Sequence, residues 1–453
     1  MANVYISFLG TNDYLLCHYQ HQGNEPCPEP VRFVQEATMA MSCGSWGSED
    51  SIVIFTTEEA EKRNWWDNGH CDRKTNAALC REGLKARLEK MGLKAPVRCV
   101  RIPEGHDETQ IWAIFEKIFE EMKAGDRIVF DITHAFRSIP LLATVVLHYA
   151  KVMRAIQVAG IYYGAFEVLG DYQTVKDMAV EERIAPILDL GALDQLMDWT
   201  IATDRFIKTG DPGLVADLAK SQVGPILRES RGRNEAAQAI KKLSDTLKQF
   251  HLGLATCRGP ELAVGARKVK EQATRCRGLD LHPPFRPLFE RIEQRLDAFA
   301  DDSLQAGLAA VRWCSEHGLI QQGFTILEET LICLVLTGVD GDPQDVTLRD
   351  VASQSFAILG KKIENCREKW QEPAKSNPEM VGKMIAFIRA TAGLEQRMDR
   401  VRQARNDLNH AGYHRNAKKL GHAGSFATDL ADHLDGIERL FRPDGMALAT
   451  DSR

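Results

Sequence analysis

The feature that most constrains the fold is an alternation in the first 190 residues. Short β-rich apolar runs fall at Val4–Leu9, Ile52–Thr57, Val97–Ile102, Arg127–Thr133 and Ile156–Tyr163. Helical patterns separate them, at roughly Thr75–Met91, Glu108–Lys123 and Ile139–Arg154. In the second of these, Ile111, Ile114, Phe115, Ile118, Phe119 and Met122 line one stripe at the spacing of a helix face. Strands that alternate with helices predict a mostly parallel sheet covered on both faces, a Rossmann-like α/β domain over residues 1–190.

Sheets of this class bind ligands in the crevice beyond the carboxyl ends of their strands. The polar and glycine residues gather there: Gly10, Thr11, Asn12 and Asp13 after the first strand, Thr133 to Ser138 after the fourth, and Tyr163-Gly164 after the fifth. Gly10 is followed by Thr, Asn, Asp and Tyr, so the Gly-x-Gly-x-x-Gly fingerprint is absent, which argues against a nicotinamide dehydrogenase. The turn Asp131-Ile132-Thr133-His134-Ala135-Phe136-Arg137-Ser138 leads straight into a helix. Its backbone N–H groups, with Thr133, His134, Arg137 and Ser138, suit an anionic, phosphate-bearing ligand. The plainer alternative makes Asp131 and His134 caps for local backbone groups.

Past residue 190 the β-rich runs stop. Helical patterns occupy Gly191–Phe206, Asn234–Leu252 and Pro284–Phe299, expected to form a connector over residues 191–300. The basic residues between Arg228 and Arg277 alternate with acidic ones, the pattern of a solvated helix face. Further patterns at Leu304–Cys314, Gly323–Leu336, Met380–His410 and Phe426–Phe441 predict an all-α bundle over residues 301–453.

Near the end of the Met380–His410 pattern stands Arg405-Asn406-Asp407-Leu408-Asn409-His410. An arginine is a permanent cation suited to phosphate, and a histidine moves a proton near neutral pH. Five residues is an awkward interval on a helix, about 140° by the ~3.6-residue turn, so the two share a face only where the helix bends or ends. Gly412 supplies a reason for it to end. The spacing recurs at Arg101–His106, Arg277–His282 and Arg312–His317, but only Arg405 is followed at once by a small polar residue, Asn406. His410 and His414, with Asp407 or His422, form a competing metal set without a third ligand fixed by the pattern.

These stretches resemble a known family. Asp131 to Ser138 is similar to the Asp-x-Thr-His-Gly motif of the CARF domains in CRISPR-associated accessory nucleases, with Ala135 in place of the usual glycine. Tyr162-Tyr163-Gly164-Ala165 and Ser7-Phe8-Leu9-Gly10-Thr11 are also similar. Arg405-Asn406 through His410 resembles the signature of HEPN ribonuclease domains, in the same order along the chain. The resemblance implies a cyclic oligoadenylate, tetra-adenylate ahead of hexa-adenylate, bound across a homodimer two-fold by Gly10, Thr11, Asn12, Asp131, Thr133, His134, Ala135, Phe136, Arg137, Ser138, Tyr163 and Gly164. It further implies metal-independent cleavage of single-stranded RNA in type III CRISPR antiviral defence, with no cofactor. His410 would transfer the proton, Arg405 would hold the phosphate and Asn406 would orient one of them. The alternative from another class is a sensor whose helical half is a regulatory or scaffolding module.

Composition fits an ordinary globular chain, 44% hydrophobic and 26% charged. The net charge of −6 argues against a globally basic nucleic-acid binder, so an RNA site must be local. Eleven cysteines with no Cys-x-x-Cys pair fit a reducing cytoplasm. No targeting segment opens the chain, and no apolar run approaches the ~20 residues of a membrane span.

Overall fold

β1 (Asn3–Leu9) is buried from Val4 to Leu9, as befits a strand with a neighbour on each edge and helices over both faces. In the computed structural model, residues are described except 22, 72–74, 76, 135–138, 280–282, 300–302, 412, 414–421 and 440–453. The other strands are β2 (His18–His21), β3 (Ser51–Thr56), β4 (Val97–Arg101), β5 (Arg127–Asp131), β6 (Gln157–Gly164) and β7 (Ile184–Asp189). They form one seven-stranded sheet in the order β2-β7-β6-β5-β1-β3-β4. Every pairing is parallel except β6 with β7.

Successive side chains of a strand point to opposite faces, and the core divides accordingly. Ile6, Phe8, Phe55 and Phe130 face Ile114 and Ile118 of α3 (Glu108–Glu120) and Val146 and Leu147 of α4 (Ile139–Arg154). Tyr5, Leu9, Ile52 and Ile54 face Met39 of α1 (Val34–Ser42) and Leu84 and Leu88 of α2 (Leu84–Lys90). The expected helix from Thr75 to Met91 is therefore shorter than its pattern, because Gly83 caps it and Ala78 bridges back to Cys71.

Contacts divide the chain into two units, Met1–Gln195 and Leu196–Arg453. α5 (Gly191–Thr209) crosses that boundary, and the second unit is helical, its longer helices being α6 (Glu235–Ala255), α7 (Gly259–Arg277), α8 (Arg286–Arg295), α9 (Ser303–Glu316), α10 (Ile320–Gly338), α11 (Val346–Gly360), α12 (Pro378–Ala390), α13 (Leu394–Asn409) and α14 (Ser425–Glu438). One core runs through it, from Phe206, Leu247 and Phe289 to Phe324, Leu331, Val401 and Leu434. Residues expected as a connector thus share a core with the back half. The basic residues of α7 pair with acidic neighbours, as Arg275 does with Glu235 (3.3 Å) and Arg277 with Glu293 (3.3 Å).

α10 is apolar on nearly all sides and packs against α9, α11, α12, α13 and α14. It is long and apolar enough to cross a membrane, which corrects the reading that no run approaches that length; 61% of its apolar window is buried among the other helices. The single helix expected from Met380 to His410 is two helices. Gly393, with φ of 72°, takes the left-handed conformation between α12 and α13.

Candidate functional site

In the first unit, the carboxyl ends of β1, β3 and β5 surround a cavity of about 240 Å³. It lies where the strand order reverses, with β1's successor in the chain order of the parallel strands on one side and β5 on the other. Gly10, Thr11, Asn12, Thr133 and His134 line it, together with Phe8, Tyr14, Phe55, Thr57 and Ile102, none of which the sequence reading singled out as ligand contacts.

Asp131 closes β5 and is fully buried. Its Oδ2 accepts from the hydroxyls of Tyr5 (2.9 Å) and Thr38 (3.1 Å). Its Oδ1 accepts from the Thr133 backbone N–H (3.0 Å) and hydroxyl (2.6 Å). Burial pushes the Asp131 carboxyl above its ordinary range, against the pull of these four donors. Thr133 Oγ1 in turn accepts the Gly164 N–H (2.8 Å). Asp131 and Gly164 therefore brace the turn and do not line the cavity. Tyr163 is also turned to other work, since its hydroxyl donates to Glu167 (2.6 Å).

His134 presents the open chemistry. Its ring lies against Tyr14, with centroids 4.1 Å apart. Burial pushes its pKa down to about 3, so the imidazole is neutral. Its Nε2 is shielded from solvent and has no hydrogen-bond partner among the described residues. A buried polar atom of this kind costs stability unless something satisfies it. Ala135, Phe136, Arg137 and Ser138 lie outside the described residues.

The β1-end loop is pinned from behind. Asn64 Nδ2 donates to the carbonyls of Gly10 (2.8 Å) and Asn12 (2.9 Å). Buried Arg32 reaches Asp13 (3.0 Å) and Asn64 Oδ1 (3.3 Å). Nothing in the local pattern around Asn64 or Arg32 signals these roles. Gly10 has a steric reason to lack a side chain: a Cβ there would overlap the Tyr14 hydroxyl.

In the second unit, Leu394, Met398 and Val401 form the buried stripe of α13. Arg405 follows at the next stripe position, four residues beyond Val401, and so points toward the bundle. There its Nη1 lies 2.8 Å from Glu328 Oε2 of α10, whose side chain is only 8% exposed. Arg402 Nε donates to the other carboxylate oxygen (2.9 Å) and its Nη2 to the Ser353 hydroxyl (2.8 Å). Arg405 Nη2 donates to Asn406 Oδ1 (3.3 Å).

α13 ends at Asn409, and His410 is its exposed C-cap. Ala411 at φ of 51° turns the chain away, while Gly412 and His414 are outside the described residues. The helix thus ends one residue before His410, leaving Arg405 within its last turns and His410 at its cap. Glu328 and Arg402 join Arg405 here although no sequence motif includes them. Their signal was present: Glu328 and Glu329 are the only charges in a helix otherwise apolar or neutral.

No family model matches the chain. It is 28% identical over 156 residues to the CRISPR-associated protein MJ1674 of Methanocaldococcus jannaschii. The match covers 33% of this chain and 23% of that relative, so the likeness spans less than a quarter of the relative's length. Over a third of its length, then, the chain is similar to a CRISPR-associated protein.

Proposed function

We propose that the protein acts in CRISPR defence as a metal-independent endoribonuclease switched on by a cyclic oligoadenylate. The observation that carries the ribonuclease half is Arg405, a permanent cation held at 2.8 Å by a buried carboxylate, one short helical stretch before the exposed His410. In a homodimer two such pairs make one cleft. One His410 imidazole takes the proton of a ribose 2′-OH as its oxygen attacks the adjacent phosphorus. The bond to the 5′-oxygen breaks, and that oxygen takes a proton from the other His410. The products are a 2′,3′-cyclic phosphate and a 5′-OH end. Proton transfer of this kind contributes about 10²–10⁴ in rate, and Arg405 stabilises the charge that grows on the phosphoryl oxygens.

The cavity at the strand ends supports the sensor half. Its aromatic wall and the His134 Nε2, which has no hydrogen bond among the described residues, suit a planar base bearing hydrogen-bonding nitrogens. At about 240 Å³ it falls below the roughly 300–1,000 Å³ of whole drug-sized sites. A ring of several nucleotides would lodge only part of itself in each protomer, which favours a symmetric ring on a symmetric dimer. The likeness to a CRISPR-associated protein supports the biological setting.

A second reading has an observation in its favour. The ion pair with Glu328 gives Arg405 a structural occupation, and a scaffolding module would need no more. Product-end analysis separates the two: the ribonuclease yields 2′,3′-cyclic phosphate ends in EDTA, and Arg405→Ala or His410→Ala removes them. Absence of such ends with the wild-type protein and activator, or their persistence in both variants, overturns the ribonuclease reading.

A further inference from the structure

Glu328 is a carboxylate inside the most apolar helix of the bundle, and it meets two arginines one helical turn apart on α13. A lone Arg405–Glu328 pair would be neutral and would offer little to a phosphate. Arg402 changes that count. It takes one carboxylate oxygen, is anchored beyond it by Ser353, and its guanidinium lies 5.8 Å from the Phe356 ring centroid. Arg402 is therefore committed to the interior on three sides. The three groups together carry one net positive charge, and Arg405, 32% exposed, is the member nearest solvent.

We infer that Glu328 and Arg402 are positioning residues for Arg405, Glu328 fixing the guanidinium and Arg402 offsetting the carboxylate so that one positive charge remains for an RNA phosphate. The inference rests on the ribonuclease reading. Buried Glu328 and half-buried Arg402 then have distinct and opposite effects. Removing the carboxylate frees charge but loses orientation; removing Arg402 keeps Arg405 held but cancels its charge.

The test uses the full-length protein and a single-stranded RNA oligonucleotide whose 2′-deoxy sugars block cleavage. The salt dependence of its Kd is measured for wild type, Arg405→Gln, Arg402→Gln, Glu328→Gln and the Glu328→Gln/Arg402→Gln pair. Each phosphate contact to a single strand contributes about 0.7 to the slope of log K against log salt. Arg402→Gln is expected to lower the slope by about that amount, as Arg405→Gln does. Glu328→Gln is expected to raise it, and the double variant, with charge rebalanced, to restore the wild-type slope. On cleavable RNA, kcat should fall about 10²-fold in Glu328→Gln and stay low in the double variant, since a misplaced group costs about that much.

A merely structural pair would not restore the slope while leaving kcat low. Where Glu328→Gln does not fold, judged by circular dichroism, the slope of Arg402→Gln decides alone. Wild-type slopes in Arg402→Gln, or unchanged kcat in folded Glu328→Gln, overturn the inference while wild-type cleavage stands. If the wild-type protein neither cleaves RNA nor loses affinity on Arg405→Gln, the ribonuclease reading itself has failed and the inference falls with it.

Discussion

The Thr133 hydroxyl donates to Asp131 Oδ1 at 2.6 Å while accepting the Gly164 backbone N–H at 2.8 Å. One small group therefore ties the end of β5 to the end of β6 and sets the entry of the turn that lines the cavity. Thr133→Val keeps the shape and removes both bonds. We expect it to lower stability by about 1–3 kcal/mol, the cost of leaving buried partners unsatisfied. Hydrogen exchange at the Gly164 amide should accelerate, and Thr133→Ser should retain protection. Unchanged exchange in Thr133→Val would contradict the bracing role.

Gly10 and Tyr14 make a second pair with a separable effect. Gly10→Ala places a Cβ against the Tyr14 hydroxyl, whose ring is itself held against Phe33 (centroids 5.7 Å apart) and His134. Overpacking of this kind costs about 1–3 kcal/mol, and activator affinity should fall with it. Tyr14→Phe removes the overlapping oxygen, so the double variant should bind better than Gly10→Ala alone. Calorimetric titration with cyclic tetra-adenylate checks this; a double variant no better than the single would show that the hydroxyl is not the obstacle.

His134 predicts a pH dependence. Its folded pKa of about 3 lies below the ordinary 6.5. The unfolded chain therefore binds a proton that the folded state refuses across that interval. The stability this group contributes is complete above about pH 6.5 and is lost as pH falls toward 3. His134→Gln does not titrate, so the stability gap between wild type and variant should narrow on acidification. Calorimetric unfolding at pH 7 and pH 4.5 measures it, and a gap independent of pH would contradict a buried neutral imidazole.

Much of the first unit was legible because β1, β3 and β5 are apolar runs buried along most of their length, and β4 and β6 carry β-branched residues between helical patterns. β2 and β7 were not: His18–His21 is polar, and Ile184–Asp189 carries Pro186. Arg405 and His410 were singled out by Asn406 and by their place near a helix end, since their spacing recurs elsewhere in the chain. Glu328 could not be paired with them, because a contact across 77 residues depends on which faces of α10 and α13 meet. The break at Gly393 was hidden by apolar residues that keep helical spacing through it. At the cavity, the polar residues were found by their place after the strands, whereas the aromatic wall read only as core.

In the proposed function a strand-end pocket controls an Arg405/His410 ribonuclease. The most direct measurement is the rate of single-stranded RNA cleavage in EDTA, with and without cyclic tetra-adenylate, for wild type and for the Arg405→Ala/His410→Ala pair. Cleavage is expected to rise about tenfold or more with the activator in the wild type, as ordinary allosteric coupling allows, and to be absent from the double variant. Equal rates with and without cyclic tetra- or hexa-adenylate, or full activity in the double variant, would contradict it.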